Sequence, residues 1–114
     1  MQDWVRQFRK GLLELCILNL LSAGESYGYE IARNLEQVEG LAVSESTLYP
    51  ILTRLKLSGL VKVRTGPSQG GPERRYLSLT TTGRTYTESL NLYWDRLTKS
   101  VEHLRHPSEK EGTE

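Results

Sequence analysis

Residues 44–59, which read SESTLYPILTRLKLSG, decide the fold of this 114-residue chain. Their apolar members recur at the three- and four-residue spacing of a helix with one buried face: Leu48, Ile51, Leu52 and Leu55. Ser44 is a typical N-cap, and Gly59 suits the position just beyond the carboxyl end. We therefore predict a helix from Ser44 to Ser58 with Pro50 near its amino end, because a proline inside a helix costs about 3 kcal/mol.

Two helices are predicted before this one. Apolar residues at helical spacing predict a first helix over residues 4–23, ending at the Gly24 breaker. Its second half is apolar nearly all round and is expected deep in the core or between subunits. A second helix is predicted to follow Ser26 as its N-cap and to end at Gly40. Gly28 in its first turn indicates a close approach of the backbone to a neighbouring helix or to a phosphate.

A β-hairpin and a long helix are predicted to follow. Residues 60–65 and 75–80 alternate between apolar and polar, which predicts paired strands, and the Gly- and Pro-rich residues 66–72 indicate a mobile tip. Apolar positions then step by three or four up to Leu104, which predicts a helix of about 23 residues and about 35 Å. Because this helix is longer than the core can cover, part of its apolar stripe is expected to pack on a second chain. Residues 105–114 lack hydrophobic residues and are predicted to be disordered.

This order of elements predicts a mainly α protein with a two-stranded β wing (α+β), a winged helix-turn-helix with an added C-terminal dimerisation helix. We assign residues 1–80 to a DNA-binding domain, 81–104 to the dimerisation helix and 105–114 to the tail. In helix-turn-helix proteins the second helix of the motif lies in the major groove. The helix from Ser44 to Ser58 is therefore the candidate reader helix.

The charge distribution supports a nucleic-acid partner, although the formal net charge is only +1. Residues 25–44 carry a balance of −3, whereas residues 45–75 carry six Lys or Arg against two Glu, a balance of +4. A chain with one basic block presents positive potential on one side, as attraction of phosphates requires. The charges alone also allow an alternative, in which these cations are scattered over a solvated surface and bind no partner.

Cysteine content and hydropathy indicate a cytoplasmic protein with no membrane partner. Cys16 is the only cysteine and lies among apolar residues, which is typical of a small buried hydrophobe, so no disulfide framework is expected. The start of the chain does not resemble a secretory signal. The apolar stretch 12–21 is too short to span a bilayer.

No residue pattern predicts an enzyme, a cofactor or a metal site. His103 and His106 are close in sequence, but no Cys or carboxylate completes a metal-ligand pattern. The Gly-rich residues 66–71 lie inside a hairpin and open no helix, unlike a phosphate-binding loop. Neither histidine is placed to act as the base of a serine nucleophile.

Four segments resemble those of the PadR family of transcriptional regulators. They are YGYEIA (27–32), STLYPILTRL (46–55), GLV (59–61) and GPERRYLSLT (71–80), the last followed by Gly83. The resemblance runs from about Arg9 to Leu104. It implies a homodimeric winged-helix repressor whose first and last helices form the dimer and whose effectors are often phenolic or other planar aromatic compounds. The chain differs in having Lys56-Leu-Ser where an acidic residue commonly follows Arg-Leu, and its short C-terminal helix is similar to that of the smaller subfamily.

The helices of the motif supply one group of candidate DNA contacts. Ser44, Ser46 and Thr47 offer hydroxyls at the amino end of the reader helix, where N-capping is the alternative role for Ser46 and Thr47. Tyr49 is expected to donate to a phosphate, with packing against the wing as the alternative. The remaining helix candidates are Tyr27, Thr53 and Arg54.

Cations of the wing form the second group of candidate DNA contacts: Lys62, Arg64, Arg74 and Arg75. Because side chains alternate along a strand, Arg74 and Arg75 are expected to point to opposite faces. A lysine or arginine here would neutralise phosphates and would carry no sequence preference.

Apolar and aromatic residues at both ends of the chain are candidates for the dimer and for an effector site. The predicted dimer interface comprises Phe8, Leu12, Leu90, Tyr93, Leu97, Val101 and Leu104. The candidate effector residues are Trp4, Phe8, Tyr93 and Trp94. These planar side chains are either core and dimer contacts or the walls of a cavity that stacks a flat apolar ligand.

These observations predict a homodimeric repressor that binds double-stranded DNA at a palindromic operator, with half-sites about one helical turn apart, and is released by a small aromatic or apolar effector. Two other functions stay open. The first is a winged-helix protein-interaction module, which would not require the basic block of residues 45–75. A multidrug-binding protein without a primary DNA role would be recognised by a DNA affinity that its ligands do not lower.

Overall fold

The computed structural model describes residues 3–68 and 70–107. Five helices and a three-stranded antiparallel sheet are found there, which confirms the mainly helical winged fold and adds one short strand to it. In chain order the elements are α1 (Asp3–Arg9), α2 (Leu12–Ser22), β1 (Ser26–Tyr27), α3 (Gly28–Glu36), α4 (Glu45–Leu57), β2 (Val61–Ser68), β3 (Gly71–Leu79) and α5 (Thr81–Arg105).

The predicted first helix is divided in two. Gly11 adopts φ +89°, a left-handed conformation that glycine tolerates without steric cost, and α1 therefore ends before α2 begins. The prediction of one continuous helix over residues 4–23 is wrong, because the apolar spacing continues across the bend and hides it. The bend allows α1 to leave the direction of α2.

The additional strand, β1, pairs with β3 and gives the sheet order β1-β3-β2. Ser26 lies in this strand opposite Leu77 and is therefore not the N-cap that was predicted for α3. The N-cap residue is Tyr27, and the Glu30 carboxylate accepts hydrogen bonds from the Tyr27 backbone N–H (3.4 Å) and the Ser26 hydroxyl (2.8 Å). α3 ends at Glu36, before the predicted stop at Gly40.

The hairpin is longer than predicted. β2 extends to Ser68 and β3 begins at Gly71, so most of the expected tip is strand. The register shifts between Gly66 and Ser68, and this irregularity accommodates Pro67, which has no N–H to donate to the ladder. The Tyr76 hydroxyl donates to the Pro67 carbonyl at 3.2 Å and fixes the irregular segment.

The helix α4 agrees with its predicted bounds, with Ser44 as N-cap and Gly59 in the left-handed region at φ +80°. Pro50 lies in the middle of α4 and not near its amino end, as was expected. Pro50 cannot donate to the Ser46 carbonyl, but both residues are exposed, so water can satisfy that carbonyl.

The core lies between α2, α3, α4 and one face of the sheet. Its buried residues are Ile17, Leu18, Leu21, Ile31, Leu35, Leu48, Leu52, Leu55, Leu60, Val61, Leu77 and Leu79. Cys16 is half-buried against this core, and burial raises the pKa of its thiol, as expected for a cysteine that fills space. No helix in residues 3–68 or 70–107 is long and apolar enough to cross a bilayer.

The start of α5 is locked to the turn between α4 and β2. The Thr80 hydroxyl accepts from the Gly83 N–H at 2.9 Å and donates to the Gly59 carbonyl at 2.7 Å, while the Thr80 N–H donates to the Leu60 carbonyl at 3.0 Å. A Cβ at Gly83 would lie 2.0 Å from the Leu60 carbonyl oxygen. We call these four residues the α5 junction.

Beyond the α5 junction, α5 first packs on α2 and then projects from the core. Reciprocal amide hydrogen bonds between Asn19 and Asn91, of 3.0 and 2.8 Å, join the two helices. The described part of the molecule is 64 Å long and 33 Å wide. α5 ends at Arg105, and residues 108–114 of the predicted disordered tail lie outside the described residues.

Candidate nucleic-acid interface

The reader helix α4 turns a polar face to solvent. Leu48, Leu52 and Leu55 bury the opposite face in the core, which orients the helix. Ser46, Pro50 and Thr53 are exposed at the centre of the outer face. No other element covers this face in the described part of the chain, so it is free to meet a partner.

A cluster of hydroxyls lies at the amino end of α4. The Ser44 hydroxyl accepts from the Thr47 backbone N–H at 3.3 Å, so Ser44 caps the helix. The hydroxyls of Ser46 and Thr47 each lie 3.1 Å from that of Ser44. Ser46 and Thr47 are exposed and are not the cap, so their hydroxyls are available to bases or phosphates.

Tyr49 rests on Gly28, the first residue of α3. A Cβ at Gly28 would lie 2.6 Å from Cε1 of Tyr49 and 2.7 Å from its hydroxyl oxygen. The predicted close approach of Gly28 to a neighbouring helix is thereby confirmed. Tyr49 remains 43% exposed, so its hydroxyl can still reach an external acceptor.

A cleft of about 410 Å³ separates α4 from the sheet, and we call it the wing cleft. Its polar lining includes Tyr49, Thr53 and Lys56 from α4 and Arg75 from β3. Among the described residues Lys56 and Arg75 make no ion pair. Lys56 was not among the predicted contacts, although its spacing from Tyr49 and Thr53, seven and three residues, places it on the same side of the helix.

The sheet carries a stack of cations and aromatic rings. Arg74 lines the wing cleft together with Arg75, although alternation predicted opposite faces for the two. Its guanidinium carbon lies 4.1 Å from the centre of the Tyr27 ring. Tyr27 meets the edge of Tyr76 at 5.7 Å between ring centres, and Arg64 lies 4.6 Å above Tyr76. The stack holds three predicted contacts, Tyr27, Arg64 and Arg74, in one row.

Two of the predicted cationic contacts are already paired with carboxylates. Arg64 donates to both carboxylate oxygens of Glu25, at 2.9 Å from Nε and by a second bond from Nη2. These hydrogen bonds lower the pKa of Glu25 and raise the pKa of Arg64, so both groups stay charged. Arg54 donates from Nη2 to Glu14 of α2 at 3.0 Å. Lys62 is exposed and has no such partner among the described residues.

The aromatic candidates for an effector site do not converge within one protomer. Trp4 and Phe8 are 70% and 75% exposed on α1, and Tyr93 is exposed on α5. Trp94 lines a groove of about 480 Å³ between α5, α2 and α3, and the other three do not line this groove. The groove is mainly apolar, with Leu12, Cys16, Leu20, Leu35 and Val38 among its lining residues.

The predicted dimer stripe is partly used by the protomer itself. Leu90 is half-buried against the core, and Leu12 is half-buried in the same region. Leu97, Val101 and Leu104 continue the stripe of Leu90 along the projecting part of α5 and are exposed.

Comparison with known proteins identifies the family. The sequence model described as the transcriptional regulator PadR-like family matches residues 17–89. A PadR-like transcriptional regulator of Bacillus cereus is 34% identical over 88% of this chain and 97% of that chain, with a TM-score of 0.80. A PadR-like transcription factor of Bacteroides fragilis is 38% identical over 90% and 99%, with a TM-score of 0.74.

One further solved structure shows a protein of this kind with its partner. The PadR of Bacillus subtilis in complex with operator DNA is 28% identical over 69% of this chain and 46% of that chain, with a TM-score of 0.63. Since the family model matches more than half of the chain and the Bacillus cereus and Bacteroides fragilis proteins align over nearly all of it, the chain belongs to the PadR-like family of transcriptional regulators.

Proposed function

We propose that this chain is a homodimeric, non-enzymatic repressor that places α4 in the major groove of a palindromic operator, contacts the backbone with its wing, and is released by a small aromatic or apolar ligand. The observation that carries the proposal is the exposed polar face of α4 beside the wing cleft, where Lys56 and Arg75 make no ion pair with the described residues. The operator complex of the Bacillus subtilis relative supports the same partner.

The dimensions of α4 suit this role. The major groove is about 12 Å wide and admits one α-helix. Ser46 and Thr53 on the outer face can then reach base edges, while Lys56 and Arg75 in the wing cleft face the sugar-phosphate backbone beside the groove. Tyr49, held between these two surfaces, is within reach of a phosphate.

The stripe on α5 supports the dimer. Gly83, Thr87 and Leu90 face the protomer's own core, and the same three- and four-residue steps continue through Trp94, Leu97, Val101 and Leu104. An apolar stripe of this spacing packs on a second helix with the same spacing. A two-fold dimer then presents two reader helices, which matches a palindromic operator.

The groove at Trp94 supports the effector. It offers an apolar wall with one planar indole, and the dimer would add aromatic surface from the exposed Trp4 and Phe8 of α1. A ligand there changes DNA affinity only if it binds the free and DNA-bound conformations unequally. Titration of planar aromatic compounds, followed by Trp94 fluorescence and by DNA affinity, measures both binding and release.

We expect Arg75→Gln to weaken binding to operator and random duplex alike. Arg75 would neutralise a phosphate, and each lost phosphate contact lowers the slope of log affinity against log salt by about 0.9. Fluorescence anisotropy with a duplex from the region upstream of its own gene, repeated over a salt series, gives this slope. Lys99→Gln, which removes the same charge from α5, serves as the control. A change in sequence preference with an unaltered slope would refute the phosphate assignment.

We expect Glu25→Gln to strengthen the binding of duplex DNA. The substitution leaves the size of the side chain unchanged but releases Arg64 from its carboxylate, and the guanidinium becomes available to a phosphate. DNA affinity and the salt slope should both rise, by up to about one unit of slope per protomer. Glu88→Gln on α5 corrects for the loss of a negative charge, and an identical response of the two variants would remove Arg64 from the interface.

A further inference from the structure

A second cleft, distinct from the wing cleft, lies between the α1–α2 bend and α4. It has a volume of about 840 Å³, and we call it the bend groove. Its lining includes the charged residues Arg6, Arg9, Lys10, Glu14 and Arg54, and the polar residues Gln7, Ser44 and Thr47. The predicted DNA contacts Ser44, Thr47 and Arg54 of the reader helix lie in this groove, but none of the predicted DNA contacts lies on α1 or at the bend.

The lining of the bend groove holds more cations than carboxylates. There are four cations against the single carboxylate of Glu14, and Glu14 is already paired with Arg54. Arg9 is anchored by a hydrogen bond from Nη1 to the Gly40 carbonyl at 3.3 Å, and it makes no ion pair with the described residues. The Arg9 Nε is shielded from solvent and has no hydrogen-bond partner among the described residues. An anchored cation without a counter-charge is expected to have an external anion as its partner.

The bend groove and the wing cleft flank the same helix on opposite sides. Thr47 and Arg54 of α4 are seven residues apart and line the bend groove, whereas Tyr49 and Lys56, also seven apart, line the wing cleft. At the helical repeat, the two pairs are separated by about 200° around the helix axis. The exposed outer face of α4 lies between them.

A helix in the major groove has a different DNA strand on each side. With side chains, the helix is about 10–12 Å across and the groove about 12 Å wide, so both flanks of α4 approach sugar-phosphate backbone. The wing cleft supplies cations for one strand. The bend groove supplies cations where the other strand would pass.

We infer that the bend groove binds the phosphodiester backbone of the DNA strand opposite to the one contacted by the wing cleft. This inference rests on the proposed placement of α4 in the major groove. It adds Arg6, Arg9 and Lys10 to the interface and assigns to α1 a DNA contact in addition to its expected part in the dimer.

The test compares two double variants of equal charge. Arg6→Gln/Lys10→Gln removes two cations of the bend groove, and Arg96→Gln/Lys99→Gln removes two exposed cations of α5. We expect the first variant to lower the salt slope by about 1.8 units per protomer for both operator and random duplex, and the second to leave it close to that of the wild type. The thermal midpoint of each variant is measured first, and if the first variant is unfolded, Lys10→Gln alone is expected to show half of the effect.

Ethylation interference identifies the strand. In the wild type, ethylated phosphates on both strands should block binding. Arg75→Gln should lose the interference on one strand, and Arg6→Gln/Lys10→Gln should lose it on the other strand across the same major groove.

The outcomes separate this inference from the proposed function. Suppose that Arg6→Gln/Lys10→Gln gives the same salt slope and the same ethylation interference as Arg96→Gln/Lys99→Gln, while Arg75→Gln loses interference on one strand. The bend groove contact is then wrong and the DNA-binding function stands. If the wild type does not bind duplex DNA, or Arg75→Gln also behaves like the control, the proposed placement of the interface fails together with the bend groove.

Discussion

Leu97→Asp/Val101→Asp is expected to make the protein monomeric at micromolar concentration and to lower its affinity for a palindromic duplex by at least about 100-fold. Both residues lie on the projecting part of α5, 39% and 47% exposed, where the protomer has no core of its own to cover them. Carboxylates in a helix–helix interface would be buried without partners, which opposes association. Each monomer then holds one half-site and loses the effective concentration of the second.

Sedimentation velocity measures the first effect and anisotropy the second. Lys99→Asp provides the control, because Lys99 lies on the side of α5 opposite to Leu97 and Val101, at 100° per residue. The control should remain dimeric. A wild-type protein that is monomeric at micromolar concentration and still binds a palindromic duplex tightly would contradict the dimer.

Gly83→Ala is expected to destabilise the protein by about 3 kcal/mol or more, although alanine is the better helix former by about 1 kcal/mol. The added Cβ would lie 2.0 Å from the Leu60 carbonyl oxygen and 3.0 Å from the carbonyl carbon, and neither is the flexible end of a side chain. To relieve the overlap, α5 has to move away from the α4–β2 turn, which stretches both hydrogen bonds of the Thr80 hydroxyl.

A fall in Tm of about 12 °C or more corresponds to this loss in a domain of about 100 residues. Thermal unfolding is compared at one protomer concentration, because the stability of a dimer depends on it. Ser89→Ala, at an exposed position of the same helix, should leave the Tm nearly unchanged. A Tm raised by Gly83→Ala would mean that the helix start is not locked to Leu60.

Local signals predicted the reader helix well, since the cap Ser44, the apolar spacing and the stop at Gly59 all lie within that segment. The bend at Gly11 was missed because apolar residues recur at helical spacing on both sides of it. The strand of Ser26 and Tyr27 is too short for alternation to be visible, and it forms only because β3 offers a free edge.

The sequence also did not predict which carboxylates pair with the candidate cations. Alternation and helical spacing place Arg54 and Arg64 on faces, but their carboxylates, Glu14 and Glu25, lie 40 and 39 residues away in sequence. Only the fold brings those groups together. The sequence patterns therefore identified the candidate cations of the interface without showing which of them are already neutralised.

Because α5 is attached at the α5 junction, a small rotation there displaces the far end of the helix. Thr80 and Gly83 attach its start to the turn that follows the reader helix, and the Asn19–Asn91 amide pair holds it about two fifths of the way along. The direction of α5 is therefore tied to that of α4. The helix is about 37 Å long, so a rotation of about 5° at the junction moves its far end by about 3 Å. That displacement is close to the rise of one base pair, about 3.4 Å. In a dimer joined along α5, a small change in the angle between α5 and α4 would therefore change the distance between the two reader helices. That distance decides whether both helices can enter major grooves one DNA turn apart.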